Sequence, residues 1–154
     1  MGGRPTVIIV KEADFKVSAQ DLFDYIVDFK RHSEWTTPGH GVSITPSSDG
    51  PPAVGSTFVS EAHQFGKQRD DIRITELVPG RRLVYEVTMK DGNTFRHTWD
   101  VTPAPGGSHL VKRFETLKLN LLSKLTLPIG MVVAPKMTAG DLTRMKARLE
   151  TADG

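Results

Sequence analysis

The sequence predicts an α+β domain: a curved antiparallel sheet of about six to seven strands wrapped around a C-terminal helix, with two short helices after the first strand. Three observations predict it. Short β-rich segments follow one another between residues 40 and 119, separated by turn residues. Such spacing pairs neighbours antiparallel and leaves no room for helical crossovers. Within several of these segments apolar and polar residues alternate, so that one sheet face is covered and the other is wet. The hydrophobic period then changes to helical spacing at Thr138, Leu142, Met145 and Leu149.

The elements follow in order. Thr6 to Val10 is a β-branched run and reads as a strand. Ser18 precedes Leu22, Phe23, Ile26 and Val27, which share a helical face, so a helix is expected over about residues 19–29. Ser18 with Asp21 forms an imperfect capping box, Asp standing where Glu or Gln is usual. Phe29 to Trp35 is expected as a second short helix, stopped before Thr37-Pro38-Gly39. Strands are then expected at His40–Thr45, Ser56–Phe65, Gln68–Val78, Arg82–Lys90, Thr94–Thr102 and Ser108–Leu119. The Pro- and Ser-rich stretch Pro46 to Val54 is a loop, Gly66-Lys67 and Pro79-Gly80 are turns, and Asp91-Gly92 is a hairpin signal.

Two strands assign their faces clearly. Leu83, Tyr85, Val87 and Met89 fall on one side of their strand; Phe95, His97, Trp99 and Val101 fall on the apolar side of the next. The last strand leaves the choice open: Val111, Arg113, Glu115, Leu117 and Leu119 share one face, and Leu110, Lys112, Phe114 and Thr116 the other. Glu61 and His63 are ambiguous in the same way. The C-terminal helix is expected to begin near Pro135, which suits a first turn. Residues 119–134 are apolar but carry Pro128 and Gly130, so they read as an irregular segment, either a mobile gate or a buried connection. A strand ribbon that curls around one helix can leave a hollow, because the helix is narrower than the curved sheet.

Composition narrows the function classes. The chain has 154 residues, 38% hydrophobic and 25% charged, which suits one folded domain spanning residues 1–154. It contains no cysteine, which removes disulfides, thiolate nucleophiles and Cys-ligated zinc. The start lacks an apolar signal core, and the run from Leu117 to Val133 is broken by Lys118, Asn120, Lys124, Pro128 and Gly130, so a bacterial-type cytoplasmic location is expected. The net charge is +2, and its excess is local: residues 110–154 hold eight Lys and Arg against four acids. That is a solvated helix face or an anion-facing surface. It lacks the dense basic stripe with aromatics of a nucleic-acid binder, so no nucleic-acid partner is expected. Phosphate loops, HExxH, GxSxG and spaced metal-ligand histidines are all missing, and neither a metal nor a cofactor is expected.

Several stretches together resemble a known family. They are Val17 to Ile26, Asp28-Phe29 through Glu34-Trp35, Val54-Gly55-Ser56-Thr57-Phe58, Pro79-Gly80-Arg81-Arg82-Leu83-Val84-Tyr85, and Val101-Thr102-Pro103 through Gly107-Ser108-His109-Leu110-Val111 ahead of a C-terminal helix. In this order they resemble the polyketide cyclase/dehydrase and lipid-transport group of the START-like (Bet v 1-like, SRPBCC) superfamily. The resemblance covers almost the whole chain and implies the helix-grip fold. It also implies a hydrophobic small-molecule ligand held between sheet and helix. Members include carriers, cyclases, aromatases and ligand sensors, so the fold alone does not choose among them.

The residues expected to face such a ligand are Trp35, Phe58, Tyr85, Phe95, His97, Trp99, Leu142 and Met145. His97 is the candidate acid or base, being a titratable group on an apolar face. A histidine hydrogen-bonded inside a core gives the same pattern. Trp35 suits either a cavity mouth or packing of the short helix against the sheet. The expected function is binding or transport of a lipid, steroid-like molecule or polyketide, as a monomer or homodimer, with transient membrane contact. One alternative is a cyclase/dehydratase with His97 as acid/base. Another is a protein-interaction adaptor like the members related to chaperone activators, using the basic C-terminal surface.

Overall fold

The fold is that of a computed structural model, which describes residues 7–36, 43–62 and 68–152. Strand β1 (Ile8–Phe15) is followed by α1 (Ala19–Val27) and a 3₁₀ helix (Phe29–Glu34). Six strands come next: β2 (Ser43–Pro46), β3 (Thr57–Ala62), β4 (Gln68–Val78), β5 (Arg82–Met89), β6 (Thr94–Ala104) and β7 (Gly107–Lys118). Two helices close the chain, α2 (Leu121–Leu125) and α3 (Leu127–Ala152). The seven strands form one antiparallel sheet in the order β1-β7-β6-β5-β4-β3-β2. This is the expected helix-grip α+β architecture. His40 to Val42, His63 to Phe65 and the Gly66-Lys67 turn lie outside the described residues.

Local chemistry explains most boundaries. Ser18 caps α1, its Oγ accepting the Asp21 N–H at 3.1 Å. Strand β1 runs to Phe15, well past the β-branched run, because β7 pairs with it from Ile8↔Glu115 to Phe15↔Ser108. In the β5–β6 hairpin, Met89 N–H donates to the Asn93 carbonyl at 2.8 Å and Gly92 N–H to the Met89 carbonyl at 3.0 Å. Gly92 stands at φ +94°, the left-handed region that this turn requires. At Gly107 the reason is proximity: a Cβ there would lie 1.9 Å from the Phe15 carbonyl oxygen. The β4 register shifts between Ile74 and Glu76, a bulge that sharpens the bend of the sheet.

The concave face carries the core. Leu83 and Tyr85 of β5, Trp99 and Val101 of β6 and Leu110 of β7 meet Leu22, Phe23 and Ile26 of α1 and Leu142 and Met145 of α3. Burial of each such side chain contributes roughly 1.5–3 kcal/mol. Alternation on β6 put its apolar face inward as expected. On β7 the inward face is that of Ser108, Leu110, Lys112, Phe114 and Thr116, while Arg113 is exposed and Glu115 lies on the other side, 3.9 Å from Arg96.

The C-terminal helix begins at Leu127, not near Pro135. Pro128 falls in its first turn, where an N–H would have no intrahelical partner. Pro135 lies inside the helix and removes one backbone bond, yet the helix continues because Thr138, Leu142 and Met145 are buried beyond it. The apolar segment before Pro135 is neither irregular nor buried. It is helical, with Leu121, Leu122, Leu125, Ile129, Met131, Val132 and Val133 exposed.

Candidate functional site

The sheet registers set the site out in rows. Phe95 pairs with Thr116, and Thr116 exchanges hydrogen bonds with Val7, its Oγ1 accepting Val7 N–H at 2.8 Å. The next row is Tyr85, His97, Phe114 and Ile9; the row after that is Leu83, Trp99, Lys112 and Lys11. Side chains of adjacent rows on one face stand about 7 Å apart along the strands.

A pocket of about 430 Å³ lies over the first row. Phe95, Phe114 and Thr116 line it from the sheet, and Ile129, Val133 and Met137 from α3. Its volume lies within the range of about 300–1,000 Å³ typical of small-molecule sites. Its polar edge is a network at the hairpin tip. Asn93 is buried; its Nδ2 donates to Ser123 Oγ at 2.7 Å, and its Oδ1 accepts the Asn120 N–H at 2.7 Å. Asn120 in turn caps α2, its Oδ1 accepting the Ser123 N–H at 2.8 Å. The hairpin therefore holds the start of the helical cover over the pocket.

Below the pocket the interior is filled by an aromatic and basic cluster. The Tyr85 and His97 rings stack at 4.9 Å, and His97 meets the Phe114 ring edge-on at 5.2 Å. Lys112 Nζ lies 2.6 Å from His97 Nδ1 and 3.8 Å from the centre of the Trp99 ring. Trp99 Nε1 donates to Tyr85 Oη at 3.3 Å. Lys112 is only 4% exposed. Burial holds its ammonium form well below the usual lysine range, against an upward pull from Asp141. Burial, with Lys112 and His32 nearby, likewise holds the His97 imidazolium well below its usual range. Both groups are thus driven toward their neutral forms, with the amine donating and Nδ1 accepting. Burial also depresses His32, to about 4, and its Nε2 lies 2.8 Å from the Ile26 carbonyl.

The expected ligand-facing residues separate into groups. Phe95 lines the pocket and stacks on Phe114 at 5.2 Å. Tyr85, His97 and Trp99 come together in the cluster one to two rows away. Trp35 is buried edge-on against Trp99 at 5.4 Å, its carbonyl accepting from Arg144 Nε at 2.8 Å. Phe58 stacks on Phe29 at 4.3 Å, and Leu142 and Met145 are buried in the core. Sequence reasoning did not single out Lys112, Phe114, Ile129, Val133 or Met137. Alternation along β7 leaves both faces mixed in the sequence, and it is the burial of Leu110 in the fold that turns Lys112 and Phe114 inward. Among the described residues no group of three or more His, Asp or Glu is placed to hold a metal, and no helix is long and apolar enough to cross a membrane.

Comparison with known proteins bears on this geometry. A comparison with curated proteins found no sequence match. Solved structures match in fold. One is protein MLL2253 from Mesorhizobium loti, at a TM-score of 0.72 and 17% identity over 94% of this chain and 98% of that one. Another is protein CV1439 from Chromobacterium violaceum, at 0.70 and 18% identity over 93% and 96%. The Aha1 dimer from Colwellia psychrerythraea matches at 0.66 and 16% identity over 97% and 100%. At such identities the likeness is one of fold. The sequence profile described as polyketide cyclase/dehydrase and lipid transport matches residues 6–152. The chain therefore belongs to the polyketide cyclase/dehydrase and lipid transport family.

Proposed function

We propose that this protein binds a hydrophobic small molecule, of the lipid, steroid-like or polyketide kind, in the pocket between β6–β7 and α3. The observation that carries the reading is the pocket itself: about 430 Å³, walled mainly by aromatic and aliphatic side chains, with Asn93, Ser123 and Thr126 as polar groups to orient one end of a ligand. Apolar ligand surface removed from water there contributes about 25 cal/mol per Å² before the costs of association. The helices that cover the pocket also carry an outward apolar surface. Lys118, Lys124 and Lys136 accompany it, and no Asp or Glu occurs between Glu115 and Asp141. That combination suits transient contact with an anionic membrane, from which an apolar ligand would enter beneath α3.

The test is binding of the neutral apolar dye N-phenylnaphthylamine, followed by its displacement with fatty acids, sterols and polyketides. Val133→Trp puts an indole into the pocket wall at a partly exposed position. Dye affinity should fall by about tenfold or more, with the melting temperature held. Equal binding by both proteins, or by neither, rejects the pocket as the ligand site.

A second reading, an enzyme of the cyclase/dehydratase kind with His97 as acid/base, is favoured by one contact, the 2.6 Å approach of Lys112 to His97. A proton relay of two neutral groups in a water-poor interior is the arrangement such chemistry uses.

A further inference from the structure

We propose that Lys112 is a covalent attachment site for hydrophobic ketones and aldehydes, its amine forming an imine with the carbonyl carbon of a molecule seated in the pocket. The proposal rests on the pocket being the ligand site. Its first support is position. Lys112 belongs to the row of Trp99, yet its Nζ reaches His97, which stands in the neighbouring row nearer the pocket. Its Nζ thus sits between the Trp99 ring of its own row, at 3.8 Å, and His97 of the row that holds Phe114. Phe114 is the partition: its ring lines the pocket and also meets His97 at 5.2 Å. On this proposal, displacement of the Phe114 ring is what joins the two spaces.

The second support is chemical state. An imine forms from a free amine, and an ammonium ion has no lone pair to give. Lys112 is buried among Trp99, Tyr85 and His97, and among the described residues no carboxylate lies within ion-pair distance of it. Desolvation there favours the uncharged amine, as it does for imine-forming lysines in general. The third support is His97, whose Nδ1 is placed to move protons.

The step balances without another reactant. The Nζ lone pair attacks the carbonyl carbon, the C–N bond forms, and the C=O π pair passes to oxygen. His97 Nδ1 takes a proton from nitrogen and returns it to that oxygen. His97 Nδ1 then carries the second N–H proton to the hydroxyl as the nitrogen electron pair closes the C=N bond and the C–O bond breaks, so that the oxygen leaves as water with both hydrogens of the original amine. The apolar surroundings keep bulk water from reversing the condensation.

The experiment incubates the full chain at about pH 7.4 with methyl nonyl ketone and sodium cyanoborohydride, then maps adducts by intact-mass and peptide mass spectrometry; an ordinary lysine is then only about one part in a thousand unprotonated. The expected result is a single secondary amine at Lys112, formed at least roughly tenfold faster than at any exposed lysine. Lys112→Met should abolish it while dye binding in the pocket persists, which also shows that the variant folds. Phe114→Leu should speed the trapping. Absence of an adduct at Lys112, while the ketone still displaces the dye, overturns the imine and leaves the ligand site standing. Failure of the ketone both to displace the dye and to be trapped overturns the two together.

Discussion

Replacing Lys112 with methionine keeps the length and apolar bulk of the side chain and removes only the amine. Lys112 is 4% exposed, and burial lowers the proton affinity of its amine in the folded state. The sign follows from linkage. The unfolded chain, with an ordinary lysine near pKa 10.4, binds this proton more tightly than the folded one. Lys112 therefore costs stability most below its lowered folded value, and the cost fades as pH rises toward about 10.4. At pH 7, far below the unfolded value, that cost is still felt, whereas near pH 10 little of it remains. Against this, the variant loses the hydrogen bond to His97 and leaves Nδ1 buried without a donor, about 1–2 kcal/mol. Lys112→Met should thus be more stable than the parent at pH 7, by on the order of 1 kcal/mol, with the advantage lost or reversed near pH 10. Urea melts of both proteins between about pH 6 and 10, at constant ionic strength and with unchanged m-values, read this directly. Parallel stability curves for the two proteins, or a variant less stable throughout, would refute a neutral buried amine.

Two further outcomes follow from the same physics. Burial, with Asp91 and Asp71 near, raises Asp70 to about 6, and its Oδ1 is buried without a partner among the described residues. An acid with a raised folded pKa stabilises most below its unfolded value and loses that as pH rises through the folded one. Asp70→Asn should therefore gain about 1 kcal/mol at pH 7 after allowance for its half exposure, and nothing at about pH 4, by urea melts at the two pH values. No gain at pH 7 would mean that Asp70 ionises freely. Second, co-sedimentation with phosphatidylglycerol-containing vesicles should exceed that with phosphatidylcholine alone and weaken with salt. The double variant Leu121→Asp, Leu125→Asp should lose it. Equal pelleting of parent and variant, or a parent whose apolar face is buried in a dimer, would rule out the membrane as what covers α2 and α3.

How much of this was legible in the sequence differs from element to element. The hairpin at Asp91-Gly92, the cap at Ser18 and the inward faces of Tyr85 and Trp99 are local properties. Turn geometry, side-chain oxygen chemistry and period-two alternation act over a few residues, so a reader of the chain can recover them. The prolines misled for an equally physical reason. Pro128 sits in the first turn of α3, where it costs little, and Pro135 weakens the helix locally, but Thr138, Leu142 and Met145 anchor α3 against the core and outweigh that cost.

By itself the sequence determined the order of elements, the antiparallel sheet, the terminal helix and one apolar sheet face, because each rests on neighbours in the chain. The inward face of β7, the 2.6 Å meeting of Lys112 and His97 and the pocket beneath the exposed helix emerge only once the strands and helices pack together. Those depend on how rows from distant strands align and on where a helix fails to fill the curvature beneath it. Such relations between remote residues leave no periodicity along the chain.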